Sequence, residues 1–186
     1  KKKNKNLIVS IFNFLLIASL TYFCFNFDNT YDYIFGDREL LRAKNLLNNF
    51  QFYGSELGGA SGFRVPGGFM SYYLYALIFF FKSAETVYLI NFLFIIFSLI
   101  FFSYTVSKIF DKFTAIISIT LLITSYDVIT QLIINWNPTF GFGFYLFGIS
   151  FFINWVLKNN KLWLIFSIIF ISLSAQFHLT FLLFII

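Results

Sequence analysis

The residues able to do polar chemistry are gathered in one stretch, Asp28 to Gly68, which reads DNTYDYIFGDRELLRAKNLLNNFQFYGSELGGASGFRVPGG. It holds Asp28, Asp32, Asp37, Glu39 and Glu56, most of the chain's 8 acidic residues, together with Arg38, Arg42, Lys44 and Arg64. Nearly everything on either side is apolar. In such a chain the long polar island is the working part, and it predicts a site facing water at a membrane surface. Two further candidates lie outside it. Asp127 sits within an apolar run, where a carboxylate is costly unless it serves a function or reaches the interface. His178, the chain's only histidine, follows Gln176 at the end of another run, as a structural residue or as a substrate contact. Cys24 is the single cysteine; it lies in the first apolar run, excludes an internal disulfide and offers no metal-site spacing.

Composition sets the solvent. Hydrophobic residues make up 59% of the chain and charged residues 11%, against about 25% charged in soluble domains. A compact globule of this composition could not cover itself with polar surface, so the chain is expected to be an all-α polytopic membrane protein. The net charge of +5 is then topology information rather than a nucleic-acid footprint, because Lys and Arg in loops set orientation. No nucleic-acid partner is expected; the lipid bilayer is.

The elements that must position the island follow in order. Lys1, Lys2, Lys3 and Lys5 precede an apolar run over 7–27, long enough at about 1.5 Å per residue for the roughly 30 Å hydrocarbon core. It is too long for a signal peptide and lacks a small-residue cleavage site. It reads as a first transmembrane helix with a cytoplasmic N-terminus, and the chain as the N-terminal part of a longer protein. Residues 28–82 form a large outer loop. Within it, DRELLRAKNLLNNF spaces Leu40, Ala43, Leu47 and Phe50 as one helix face, with Asp37 and Glu39 at its start, predicting an amphipathic surface helix. Asp37 suits the N-cap of that helix. Gln51 to Gly68 is rich in Gly and Ser and is expected to be irregular. The apolar stretch 69–81 is short for a span and fits a re-entrant or juxtamembrane helix. Membrane-spanning helices are expected at 86–110, 113–132, 139–157 and 162–177, and a further one starts at 179–186.

Basic residues decide whether 69–81 crosses. If it does not, Lys1, Lys2, Lys3, Lys5, Lys108, Lys112, Lys158 and Lys161 lie inside, and Arg38, Arg42, Lys44, Arg64 and Lys82 outside: 8 of the 13 are inside. If it crosses, every later joint flips and the bias reverses. The rule is strongest for short loops near helix ends, and those are the joints that flip. Residues 69–81 are therefore placed on the surface. Asp127, Trp136, Asn137 and His178 then share the outer side with the island.

The order of these features resembles a known family. A first helix leads into an outer loop with GDRELLRAKNLL, a Gly-rich stretch and RVPGGFMSYYLYAL. TSYDVITQLIINWNP and AQFHLT come later. This is similar to the N-terminal part of the GT-C superfamily of glycosyltransferases, in particular the family 39 branch of dolichyl-phosphate-mannose protein mannosyltransferases and the aminoarabinose lipid A transferase. The resemblance covers nearly the whole chain and rests on order and spacing. It implies transfer of a sugar from a polyprenyl-phosphate donor to an acceptor hydroxyl, with inversion, at the extracytoplasmic face of a bacterial inner membrane. It makes Asp37 the counterpart of the family's catalytic acidic residue, a carboxylate that takes the acceptor's proton. Arg64 would hold the leaving phosphate through a bidentate pair, with Glu56, Asp127, Asn137 and His178 as substrate contacts. No resident cofactor is assigned, and a divalent metal is left open. Where some members carry a second acidic residue, this chain has Asn135 and Asn137, with Asp127 some ten residues earlier.

Two other functions compete. A polysaccharide or lipid transporter or flippase would show broken helices or charge near the midplane, whereas here charge is concentrated in one outer loop. A polysaccharide polymerase is also multi-pass, but its large polar loop is expected later in the chain.

Overall fold

The computed structural model describes residues 41, 43–45, 48, 55–56, 64–65, 69–124 and 137–177. These are helices and the short turns between them, apart from one short strand pair: β1 (Ser55–Glu56) and β2 (Arg64–Val65), then α1 (Phe69–Phe81), α2 (Ala84–Ile109), α3 (Lys112–Thr124), α4 (Asn137–Lys158) and α5 (Lys161–Phe177). Helices α2, α4 and α5 begin and end within two residues of the apolar runs at 86–110, 139–157 and 162–177. The run at 113–132 is helical over Lys112–Thr124. Its remainder, the span at 7–27 and the helix start at 179–186 lie outside the described residues.

The helix ends follow local chemistry. Ser83 precedes α2 in an extended conformation and its side chain accepts from the Thr86 amide at 3.5 Å, the long end of a cap. Asp111 does the same for α3 with a tighter bond, Thr114 N to Asp111 Oδ1 at 2.7 Å. That bond holds the exposed Asp111 carboxyl below its usual pKa. Helices α1 and α4 close alike: Lys82 N donates to Ile78 O at 2.8 Å and Asn159 N to Trp155 O at 2.7 Å. Both residues after the helix are left-handed, Lys82 at φ 55 and Asn159 at φ 49. Asparagine tolerates that conformation, whereas lysine is strained in it.

Helix α4 lies between α2 and α5 and is the spine of the packing. Phe147 and Phe151 face both neighbours: Phe94 and Phe101 of α2 lie 5.2 and 5.3 Å from them, and Phe170 of α5 lies 5.6 and 5.1 Å away. Helices α4 and α5 approach closely at Gly148, which meets Ile171; a Cβ there would sit 2.5 Å from Ile171 Cγ1 and 3.0 Å from its backbone nitrogen. Small residues at a helix crossing permit such an approach. Buried hydroxyls bond within their own helix, Ser98 to Ile95 O and Ser150 to Leu146 O, each at 2.7 Å, and Ser174 to Ile171 O at 2.8 Å. Helix α3 joins through Ile119 and Ile123, which pack with Ile95, Leu99 and Leu146.

The outward faces are apolar. Leu89, Leu93, Phe97, Ile100 and Tyr104 form an exposed stripe on α2, and Phe113, Ile117 and Leu121 one on α3. Two stretches, Leu89–Ile109 and Phe140–Lys158, are long and apolar enough to cross a membrane. Helix α1, with 13 residues, reaches only about 20 Å.

One local expectation changes. The Gly-rich stretch 51–68 contains an antiparallel pairing of Ser55 with Val65 and Glu56 with Arg64. Two residues per strand give too few positions for a period of two to be read.

Candidate functional site

The helical bundle has two chemically distinct ends. At one, Ala43, Leu74, Val87, Phe140, Phe144 and Phe177 form a buried cluster. Val87 stands near the start of α2, Phe140 near the start of α4, and Phe177 at the end of α5. Ala43 comes from helical backbone in the polar island, at 0% exposure. Its neighbours Leu41, Lys44 and Asn48 are exposed, the asymmetry expected of an amphipathic helix lying on this end. Leu74 docks the middle of α1 into the same cluster while Phe79, Phe80 and Phe81 are exposed.

Tyr73 is enclosed by rings, edge to face with Phe140, Phe144 and Phe177 at 6.2, 5.7 and 5.6 Å. Burial pushes its phenol up to about 12, so it is neutral at physiological pH. Sequence reading passed over it because a tyrosine in an apolar stretch looks like any interfacial aromatic. It also passed over Asn91, one turn beyond Val87 on α2. Asn91 is 3% exposed, and its Oδ1 lacks a hydrogen-bond partner among the described residues. An amide within an apolar run was the available signal, since burying it without a partner costs about 1–3 kcal/mol.

The expected site residues divide into three groups. Asp37, Asp127 and His178 lie outside the described residues. Glu56 and Arg64 are brought together: they are partners in the β1–β2 register. Asn137 opens α4, with Pro138 beside it at a helix start, where a missing amide hydrogen costs nothing. In sequence, Phe140 is three residues beyond Asn137, and Phe177 immediately precedes His178. Chain segments next to two of the expected residues, Asn137 and His178, thus meet in one cluster.

The opposite end is basic. Lys108 and Lys112 flank the α2–α3 turn, and Lys158 and Lys161 flank the α4–α5 turn. A cross-helix network fixes these turns side by side: Lys108 Nζ donates to Asn154 Oδ1 at 3.1 Å, and Asn154 Nδ2 donates to Thr105 Oγ1 at 3.1 Å and Ser150 O at 2.8 Å. From Val87 to Lys108 the helix rises about 30 Å, the thickness of a bilayer's hydrocarbon core.

No protein-family model, curated protein or solved structure matches this chain. What the site can do is therefore a question for its own residues. Among the described residues no three His, Cys, Asp or Glu side chains gather to hold a metal ion. The end bearing the cluster offers a neutral phenol and a buried amide; Glu56 and Arg64 form an acid–base pair in strand register.

Proposed function

We propose that the chain is part of a polytopic membrane glycosyltransferase that moves a sugar from a polyprenyl-phosphate donor to an acceptor hydroxyl on the extracytoplasmic side. The observation that carries this reading is the convergence of Ala43, Leu74, Phe140 and Phe177 in one buried cluster. It joins the island's helix to the helix ends next to Asn137 and His178, about 30 Å from the basic turns. A donor with a lipid tail needs this arrangement, with its chain among apolar helices and its head at a polar loop on one surface. In the reaction, the acceptor oxygen attacks the anomeric carbon, Asp37 takes the hydroxyl proton, and the bond from that carbon to the phosphate oxygen breaks. The polyprenyl phosphate leaves with the bonding pair, its charge met by Arg64. Glu56 is the partner of Arg64 in strand register.

The test is transfer of labelled sugar from a panel of polyprenyl-phosphate hexoses and pentoses by full-length protein in membranes. Asp37→Asn keeps N-cap ability but removes the base, so the initial rate at equal abundance should fall on the order of 10²–10⁴. A rate above about a tenth of wild type would remove Asp37 as base. No transfer from any donor, with the protein inserted, would favour a transporter or flippase instead.

A further inference from the structure

The basic end of the bundle takes no part in the proposed sugar transfer. Lys108, Lys158 and Lys161 have no carboxylate partner among the described residues. Lys108 is held by Asn154 at 3.1 Å and lies 4.0 Å from the centre of the Tyr104 ring. Lys158 stands one helical turn beyond Asn154 on the same face and lies 5.4 Å from the centre of the Trp163 ring. The Asp111 carboxylate in the neighbouring turn is engaged as the cap of α3. Asn160 is likewise occupied, accepting from Leu162 N at 3.0 Å.

This leaves uncompensated positive charge on a surface bordered by Tyr104, Trp155 and Trp163. Aromatic rings of this kind mark the level where hydrocarbon gives way to headgroups. The Asn154 network also restrains Lys108, so less side-chain freedom is lost when its ammonium meets an anion. Resting on the reading that α2 and α4 cross the bilayer, we infer that this end binds the phosphate of anionic phospholipid headgroups in the leaflet facing the two turns. Charge complementarity selects the occupant: the ammonium groups present only donors, and a headgroup phosphate tethered at this depth presents only acceptors. Attraction of this kind anchors the bundle at the face opposite the proposed site.

The test uses the full chain with Trp136→Phe, so that Trp155 and Trp163 report on this end. Brominated phosphatidylglycerol and brominated phosphatidylcholine are each titrated into neutral micelles and tryptophan quenching is read. Phosphatidylglycerol should quench at the lower mole fraction. Each lysine near an anionic surface contributes roughly five-fold, so Lys108→Gln/Lys158→Gln/Lys161→Gln should reduce the preference at least about ten-fold, as should about 0.5 M NaCl by screening. Arginine at the three positions should restore it. Far-UV circular dichroism verifies that each variant retains its helices. Equal quenching by both lipids, or a preference that survives the glutamine variant, overturns the inference. So does loss of the preference in millimolar inorganic phosphate but not in NaCl of equal ionic strength, which would make this a free-phosphate site. Carbonate extraction separates the two levels of failure. Protein that stays in membranes but shows no preference refutes headgroup binding alone, whereas protein that is extracted and unquenched refutes the spanning helices as well.

Discussion

Replacing Gly148 by alanine puts a methyl group where α4 presses against Ile171 of α5. Its carbon would lie 2.5 Å from Ile171 Cγ1 and 3.0 Å from Ile171 N, where ordinary contact begins at 3.4 Å. The side-chain atom must therefore give by 0.9 Å and the backbone by 0.4 Å. Neither is free to do so. Isoleucine in a helix has essentially one χ1 rotamer, and the backbone nitrogen can move only if α5 moves with it. Overpacking of this kind costs about 1–3 kcal/mol, while alanine recovers about 0.8–1.0 kcal/mol of helix propensity over glycine. The single substitution thus nets from near zero to about 2 kcal/mol, too broad a range to decide anything. A double-mutant cycle with Ile171→Ala is sharper. The propensity gain is the same in both backgrounds and cancels, and removal of Cγ1 leaves only the milder contact with nitrogen. Gly148→Ala should cost at least about 1 kcal/mol less when Ile171 is already alanine. The measurement is unfolding in mixed micelles of increasing dodecyl sulfate, followed by tryptophan fluorescence from Trp155 on α4 and Trp163 on α5. Additivity within about 0.5 kcal/mol would refute the close crossing.

Other outcomes follow from the helix ends and the island. Lys82 carries φ 55 after α1, so Lys82→Gly should raise stability by about 1 kcal/mol in the same assay, whereas Lys82→Ala, equally strained, should not. The Asp111 carboxyl is held low by the Thr114 amide, so its contribution is complete above the unfolded pKa of about 3.9 and is lost as pH falls through the lower folded value. The Thr114 amide proton shift should titrate there, and in Asp111→Asn it should not titrate at all. If Arg64 holds the donor phosphate, Arg64→Lys should weaken donor binding because an ammonium lacks the planar fork, and Arg64→Ala should weaken it further. Equal affinity in all three forms removes Arg64 from the site.

Much of the helical layout is legible in the sequence because an apolar run bounded by Asp-Lys or Lys-Asn-Asn-Lys has few alternatives. The turn after Ile109 begins at Asp111 because aspartate caps the next helix, and the turn after Lys158 carries Asn159 because asparagine accepts a left-handed backbone. The joining of those two turns was only half legible. Counting lysines assigns both to one side, but nothing in the string pairs Lys108 with Asn154, 46 residues away. Asn154 looks like an interruption of an apolar run until Thr105 is placed beside it. The glycines were opaque for a related reason. Gly148 is buried against Ile171 and Gly143 against Phe94, yet neither differs in sequence from a glycine that merely loosens a helix. The Glu56–Arg64 partnership was hidden by the glycines and serine between them, which signal a loop and conceal a two-residue pairing.

The two ends of the bundle differ in how they are held, and the difference bears on the proposed transfer. At the basic end, Asn154 bonds at once to Lys108, Thr105 and its own helix. Such a bonded set has one geometry, and breaking it strands buried polar atoms at about 1–3 kcal/mol each. At the other end the helical residues at 43–45 and α1 are attached through Ala43, Leu74 and the rings around Tyr73. Apolar contacts are non-directional, so they set proximity without the single bonded geometry of the Asn154 set. The proposed transfer would need a site that admits a lipid-linked head and an acceptor and releases both products. The Asn154 network would serve it as a fixed frame, holding α2 and α4 in one register about 30 Å from the buried cluster.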